Sequence, residues 1–298
     1  MSHTKCLIIT HGFFGDIAFS TSIAEKFKNQ KKFDVVDYLI GYPQMESLLK
    51  NDPYIDNVIV SDYPSVIPVN KLVVEESYDK VIKLTPLSFI EPPACEYQRL
   101  AGIDNPTPEF KVYTSSEYDI IAKQYLNDCF NNNKKTLAIM SNWESKSYLF
   151  TEDQYKAGID VPNLGYGGRH RDIQKIVDEL SKDYNLYGVG YPQDISQLQT
   201  STIKDSDVKS LLFECSIIKN CDAFIGTEGG LCNLAAGVGT KTIITGDFIH
   251  QLYGWNGVLK KIKEPKLGPI HYFKDKGHVE LNPYLTDIEV LSQIKKHI

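Results

Sequence analysis

Asp16 directly follows Gly15, with Gly12 three residues before that glycine, just past the apolar run Lys5 to Ile9. In an α/β protein this is the carboxyl end of the first strand, where ligands bind. A carboxylate there either caps the following helix or is a chemical group facing a ligand. The loop has two glycines but lacks the third glycine of a dinucleotide fingerprint, and Asp37 precedes "YLIG" instead of following it. Nicotinamide and flavin binding are therefore not expected.

The stretch 224–244, "FIGTEGGLCNLAAGVGTKTII", is the second candidate. An apolar strand runs into Thr227, Glu228, Gly229 and Gly230, and a helix of small residues begins. Glycines let a ligand approach the backbone, the exposed amides at a helix start suit a diphosphate, and Glu228 can accept hydrogen bonds from hydroxyls. A tight strand-to-helix turn with close packing explains the same residues equally well. In "NLGYGGRHRD" (163–172), Arg169 suits bidentate phosphate contact; a plain loop leading to a helix capped by Asp172 is the alternative. "DSD" (205–207) precedes a helix and reads as a cap instead of a metal site. No HExxH, zinc spacing or GxSxG elbow occurs, so no metal is expected. Tyr253 and Trp255 are either contacts for a base or acceptor, or loop anchors.

These groups need elements to hold them. "KCLIIT", "VVDYLIG", "NVIVSD" and "YDKVIKLT" read as strands. They alternate with helices at "AFSTSIAEKFKNQ", "PQMESLLKND" and "EYQRLAGI". The polar cluster 127–135, "NDCFNNNKK", reads as a linker. Beyond it the alternation restarts, with strands at "TLAIMS", "NLYGVGYP", "AFIGT" and "KTIITGD". The helices there are "RDIQKIVDELSKD", "DVKSLLFECSIIKNC", "GLCNLAAGVG" and a closing amphipathic "TDIEVLSQIKKHI". The pattern predicts an α/β protein of two Rossmann-like domains, 1–133 and 134–283, with helix 284–298 packing back toward the first domain.

The chain has 298 residues, enough for two cores, and a net charge of −6 from 32 basic and 38 acidic residues. That balance argues against nucleic acid as a partner. The six cysteines form no CxxC pair and several lie in apolar runs, which fits a reducing, cytoplasmic setting. No segment approaches the ~20 apolar residues of a membrane span, so any membrane contact is expected to be peripheral.

"GDIAFSTSIAEKFK", "YLIGYPQMESLLKNDPYIDNVI" and "EYQRLAGI", followed by "LLFECSIIKNCDAFIGTEGGLCNLAAGVGTKTI", resemble in order the signatures of the ADP-heptose:lipopolysaccharide heptosyltransferases, glycosyltransferase family 9. The resemblance implies a GT-B fold and inverting, metal-independent sugar transfer from a nucleotide-sugar donor, with no cofactor. It makes Asp16 the general base and gives the carboxyl-terminal motif to the donor. Thr227, Glu228, Gly229, Gly230, Asn233 and Ser141 would contact the donor, and Lys146 would neutralise the leaving diphosphate. Gly12, Gly15 and Arg169 would belong to the acceptor side or its loops. The implied acceptor is a glycan, lipid-linked or protein hydroxyl, in surface-glycan or lipopolysaccharide synthesis. This chain departs from the family pattern in three places. Glu228 replaces an aspartate, Gly229 a serine or threonine, and Asn233 a histidine. A nucleotide-sugar epimerase or hydrolase of the same fold, or a non-catalytic sugar-nucleotide or glycan-binding protein, are the alternative readings.

Overall fold

The computed structural model describes residues 4–10, 14–41, 43–61, 77–84, 91–130, 133–140, 173–190, 211–227, 229–245, 277–281 and 285–298. The chain begins with β1 (Lys5–Thr10), α1 (Phe14–Asn29) and β2 (Val35–Ile40). A 3-10 turn at Pro43–Met45 runs into α2 (Glu46–Leu49), followed by β3 (Asn57–Val60), β4 (Lys80–Lys83) and α3 (Pro93–Leu100). The four strands are parallel, in the order β3-β2-β1-β4. From Cys6 onward β1 is buried, as a central parallel strand covered on both faces must be.

α1 is buried over most of its surface although its sequence is Ser- and Thr-rich. The hydroxyls of Ser20, Thr21 and Ser22 each bond back to a carbonyl three residues earlier, at 2.7, 2.8 and 2.8 Å. Those bonds satisfy the polar groups locally, so the helix tolerates the interior. Tyr38 on β2 donates to the Ser20 carbonyl at 2.7 Å and ties the helix to its sheet. Asp37 accepts from Asn57 at 2.8 Å and from Tyr78 at 2.7 Å, so both of its oxygens serve the strand framework.

The second half comprises α4 (Ser116–Cys129), β5 (Thr136–Met140), α5 (Ile173–Leu180), β6 (Asn185–Val189) and α6 (Leu211–Lys219). It continues with β7 (Ala223–Gly226), α7 (Gly230–Gly237), β8 (Thr242–Ile244), β9 (Val279–Glu280) and α8 (Asp287–His297). Its strands are also parallel, in the order β6-β5-β7-β8-β9. The strand order therefore reverses between β1 and β4 in the first sheet and between β5 and β7 in the second. The loops after β1 and β7, which carry the two candidate motifs, leave at these switch points.

Two expected boundaries move. α4 runs into the 127–135 stretch read as a linker, and its Ala122 and Leu126 are buried with Ala138, Tyr187 and Phe213 of the second sheet's core. A Ser115 cap, accepting from Tyr118 N at 3.1 Å, starts this helix. α8 packs on the second domain instead of the first. Val290 and Ile294 are buried beside Leu137, Ile176 and Leu180, and Lys295 pairs with Asp183 at 2.6 Å. A capping box of Thr286 and Glu289 opens α8. In both cases an amphipathic helix goes to the nearest unfilled apolar surface, which sequence order does not reveal.

The two halves share apolar packing. Leu211, Leu212, Cys215, Leu234 and Ala236 join the core of the first sheet. The connecting segment 103–115 runs along α7, where Val112 N donates to Gly237 O at 3.1 Å. A Cβ on Gly237 would lie 2.6 Å from Val112 Cγ2 and 2.8 Å from Phe110 Cε2. Gly237→Ala is therefore expected to push the segment off α7 and cost about 1–3 kcal/mol, read as a lowered denaturant midpoint. An unchanged midpoint would show that this contact is slack. Among the described residues no helix is long and apolar enough to cross a membrane.

Candidate active site

Because α1 starts at Phe14, Asp16 lies inside its first turn and not at the cap position. There the amide dipoles of the helix favour the ionised carboxylate. Asp16 is half-buried, and Tyr97 on α3 donates its hydroxyl to Asp16 Oδ1 at 3.2 Å. Tyr97 itself is buried. Burial, and then the Asp16 charge and hydrogen bond, push its phenol well above the usual range, so it stays a donor.

The start of α7 meets the start of α1. A Cβ on Gly15 would stand 3.1 Å from Asn233 Nδ2 and 3.7 Å from Gly230 Cα. A Cβ on Gly230 would stand 3.0 Å from Phe14 Cβ and 3.4 Å from Gly15 N. Glycine at both positions is what lets the two helix ends come this close. Gly229, just before α7, has φ 156° and ψ −173°, a region essentially confined to glycine. This gives a physical reason for glycine where the resembling family has a hydroxyl residue. Gly229 provides no side-chain cap, so the first amides of α7 receive none from it.

The structure thus brings Gly15 together with Gly230 and Asn233, and Asp16 and Gly229 are their neighbours in the chain. Thr227 is buried at the end of β7, and its hydroxyl contacts Met140 Sδ of β5 at 3.6 Å. Gly12, Ser141, Lys146, Arg169 and Glu228 lie outside the described residues.

Sequence reading passed over two further groups. Tyr97 gave no local signal, since one tyrosine in a helix is ordinary. Glu214 did give one, as an acid inside the apolar run "LLFECSII". It lies on α6, half-buried, and Gly190 N, just past β6, donates to Oε1 at 3.4 Å. Burial raises its carboxyl to about 6, opposed by that bond. It sits at the carboxyl edge of the same sheet as Thr227. Also at a carboxyl edge, Thr10 Oγ1 is buried at the end of β1 with no hydrogen-bond partner. Among the described residues no three His, Cys, Asp or Glu side chains gather as a metal site.

Two parallel three-layer halves whose switch points face each other define the GT-B fold. Solved glycosyltransferases share it over essentially the whole chain. The glycosyl transferase family 9 structure from Veillonella parvula aligns with a TM-score of 0.65 at 12% identity, covering 100% of this chain and 98% of that one. The E. coli ADP-heptose lipopolysaccharide heptosyltransferase II aligns at 0.59 and 13% identity, covering 99% and 98%. The E. coli heptosyltransferase WaaC with ADP aligns at 0.56 and 11% identity, covering 99% and 100%. Neither a protein-family model nor a curated protein sequence matches the chain.

Proposed function

We propose that the protein is a metal-independent, inverting glycosyltransferase that moves a sugar from a nucleotide-sugar donor to a hydroxyl of a surface-glycan or lipopolysaccharide acceptor. The observation that supports this reading is the meeting of Gly15, the chain neighbour of Asp16, with Gly230 and Asn233 at the two switch points. In this reading the carboxylate of Asp16 serves the acceptor and the start of α7 serves the diphosphate. Two enzymes that share the fold are named as heptosyltransferases, and one of them was solved with ADP, which fits a donor of this class.

In the proposed step Asp16 accepts the proton of the acceptor hydroxyl. The acceptor oxygen bonds to the anomeric carbon from the face opposite the leaving group. The bond from that carbon to the phosphate oxygen breaks, and the nucleoside diphosphate leaves with the electron pair. The first amides of α7 receive its charge, with Lys146 as the neutralising cation. Glu214, which accepts from Gly190 N just past β6, would accept from a donor hydroxyl in this reading. No disulfide joins the six cysteines, which fits a reducing cytoplasmic compartment, with membrane contact at most peripheral.

The test is a thermal-shift screen of nucleoside diphosphates and their sugars in the presence of EDTA. One nucleotide family is expected to raise Tm, by about 2.7 kcal/mol of added stability at a hundred times Kd. No shift with any of them would sink the transferase reading. Consumption of the donor without an acceptor would point to an epimerase or hydrolase instead.

A further inference from the structure

We propose that Asp52 is a proton-operated latch on the connection between the two domains. Protonated, it lets the peptide group joining Lys111 and Val112 seat between α1 and α7; ionised, it draws water beneath that peptide and loosens it.

That one peptide group bridges the two halves. Its carbonyl, on Lys111, accepts from Thr21 Oγ1 of α1 at 3.1 Å. Its N–H, on Val112, donates to Gly237 O of α7 at 3.1 Å. The peptide is planar, so a shift of the plane breaks both bonds together. The segment is anchored on either side of the bridge. Gln98 of α3 donates to Thr107 O and accepts from Thr107 N, at 2.9 Å each, and Lys219 of α6 donates to Thr114 Oγ1 at 2.8 Å.

Asp52 shares a small cavity with Ala18 and Thr21 of α1, Leu49 of α2, and Lys111 to Tyr113 of the segment. It is 5% exposed, and Oδ1 accepts from Tyr54 N at 2.9 Å. Among the described residues no cation and no second donor reaches the carboxyl. Lys111, the cation on the bridge itself, reaches Glu25 at 3.6 Å instead. A carboxylate with a single donor and no cation is poorly solvated in such a place, whereas the neutral acid is not. The bridge is the wall that yields most readily. α1 and α2 are helices packed into the first core, and the bridge is held by two hydrogen bonds.

The other ionisable groups around Asp52 do not relieve it. Glu25 on α1 adds a like charge. Glu46 and Lys50 on α2 pair with each other at 2.6 Å, and Asp56 in the following turn pairs with Lys28 at 2.6 Å. The rings of Tyr54 and Tyr113 meet edge to face at 6.2 Å and their hydroxyls are hydrogen-bonded. Burial first, and then nearby carboxylates, push the phenols of Tyr38 and Tyr113 above the usual range. Burial raises the Asp52 carboxyl from 3.8 to about 7, with the Tyr54 bond opposing and the Glu25 charge adding. Lifting the bridge hydrates the carboxyl and returns it toward 3.8, so opening releases a proton. The opened fraction therefore rises with pH and levels off above about 7, by about tenfold between pH 6 and pH 8. Freed at this peptide, the domains can move against each other, as a cleft that admits and releases substrates requires. The latch acts in this way whatever reaction the cleft carries.

The experiment is amide hydrogen exchange read by NMR on the whole chain at pH 6 and pH 8, with each rate divided by the intrinsic rate at that pH. Val112 N reports the bridge. Phe224 N, bonded to Lys241 O at 2.8 Å in the second core, reports global unfolding. Val112 is expected to be less protected than Phe224, and its protection to fall about tenfold from pH 6 to pH 8. In Asp52→Asn that fall is expected to vanish. A Val112 protection that does not change with pH in wild type overturns the proposal, and so does an undiminished fall in Asp52→Asn. A Val112 amide that exchanges as slowly as Phe224, with the same pH dependence, also overturns it, because Asp52 then acts on the stability of the whole fold alone. If the asparagine variant does not fold, the comparison of the two amides in wild type decides.

Discussion

Asp16→Asn is expected to lower the turnover of sugar transfer by about 10²- to 10⁴-fold, the range of a lost general base, while donor binding and the fold persist. The substitution is nearly isosteric. The amide oxygen can still accept from Tyr97, whose hydroxyl lies 3.2 Å from Oδ1. What disappears is the proton-accepting charge. The stability cost is the loss of a carboxylate from the first turn of α1, worth about 0.3–1 kcal/mol. Had Asp16 been a helix cap, the same variant would lose stability and keep its rate. Its position two residues inside α1 already separates it from the cap. The check is turnover against Tm and donor affinity, measured on the same preparation. A variant with wild-type turnover would remove Asp16 from the chemistry.

The second large effect concerns stability. Asp52 lies in the "NDPYIDN" turn and accepts from Tyr54 N at 2.9 Å, an Asx turn that closes α2 toward β3. It is 5% exposed, in a small cavity lined by Ala18, Leu48, Lys111 and Tyr113 among others. Burial raises its carboxyl from 3.8 to about 7, with the Glu25 charge adding and the Tyr54 bond opposing. The folded pKa stands above the unfolded one, so folding takes up a proton between them. The stability this group contributes is fully present below about pH 4 and is lost as pH rises through about 7. The whole span is roughly 4 kcal/mol, more than half of it between about pH 5 and pH 8. Asp52→Asn keeps an oxygen for Tyr54 N and removes the titration. Its stability is expected to be flatter in pH over that range and to overtake wild type on the alkaline side. Glu214 adds a smaller change of the same sign in both proteins, so the difference between them isolates Asp52. Chemical denaturation at a series of pH values is the measurement, and parallel curves for the two proteins would refute the burial argument.

Much of this was legible in the residues. The apolar runs and the helical spacing between them named the strands β1 to β8. The glycine pairs 12/15 and 229/230 marked both candidate motifs as following strands, and β1 and β7 do end just before them. These features are local. A strand or a strand-to-helix turn is decided by neighbours within a few residues, so its chemistry is written in order along the chain. The two-residue β9 was not foreseen, because so short an edge carries no periodicity.

The rest depended on which surfaces meet. α4 left the first half for the second core, and α8 stayed on the second domain, because burial rewards any apolar face that fits and is indifferent to chain order. The approach of Gly15 to Gly230 joins residues more than two hundred positions apart, and the Tyr97 bond to Asp16 spans 81. The raised carboxyl of Asp52 likewise comes from a cavity assembled by α1, α2 and the connecting segment. Sequence by itself determined the layered α/β plan and the residue types delivered to the strand ends. Tertiary structure alone decided how those ends face each other and which groups hold the carboxylate between them, because distance and desolvation are properties of the packed chain and not of any segment of it.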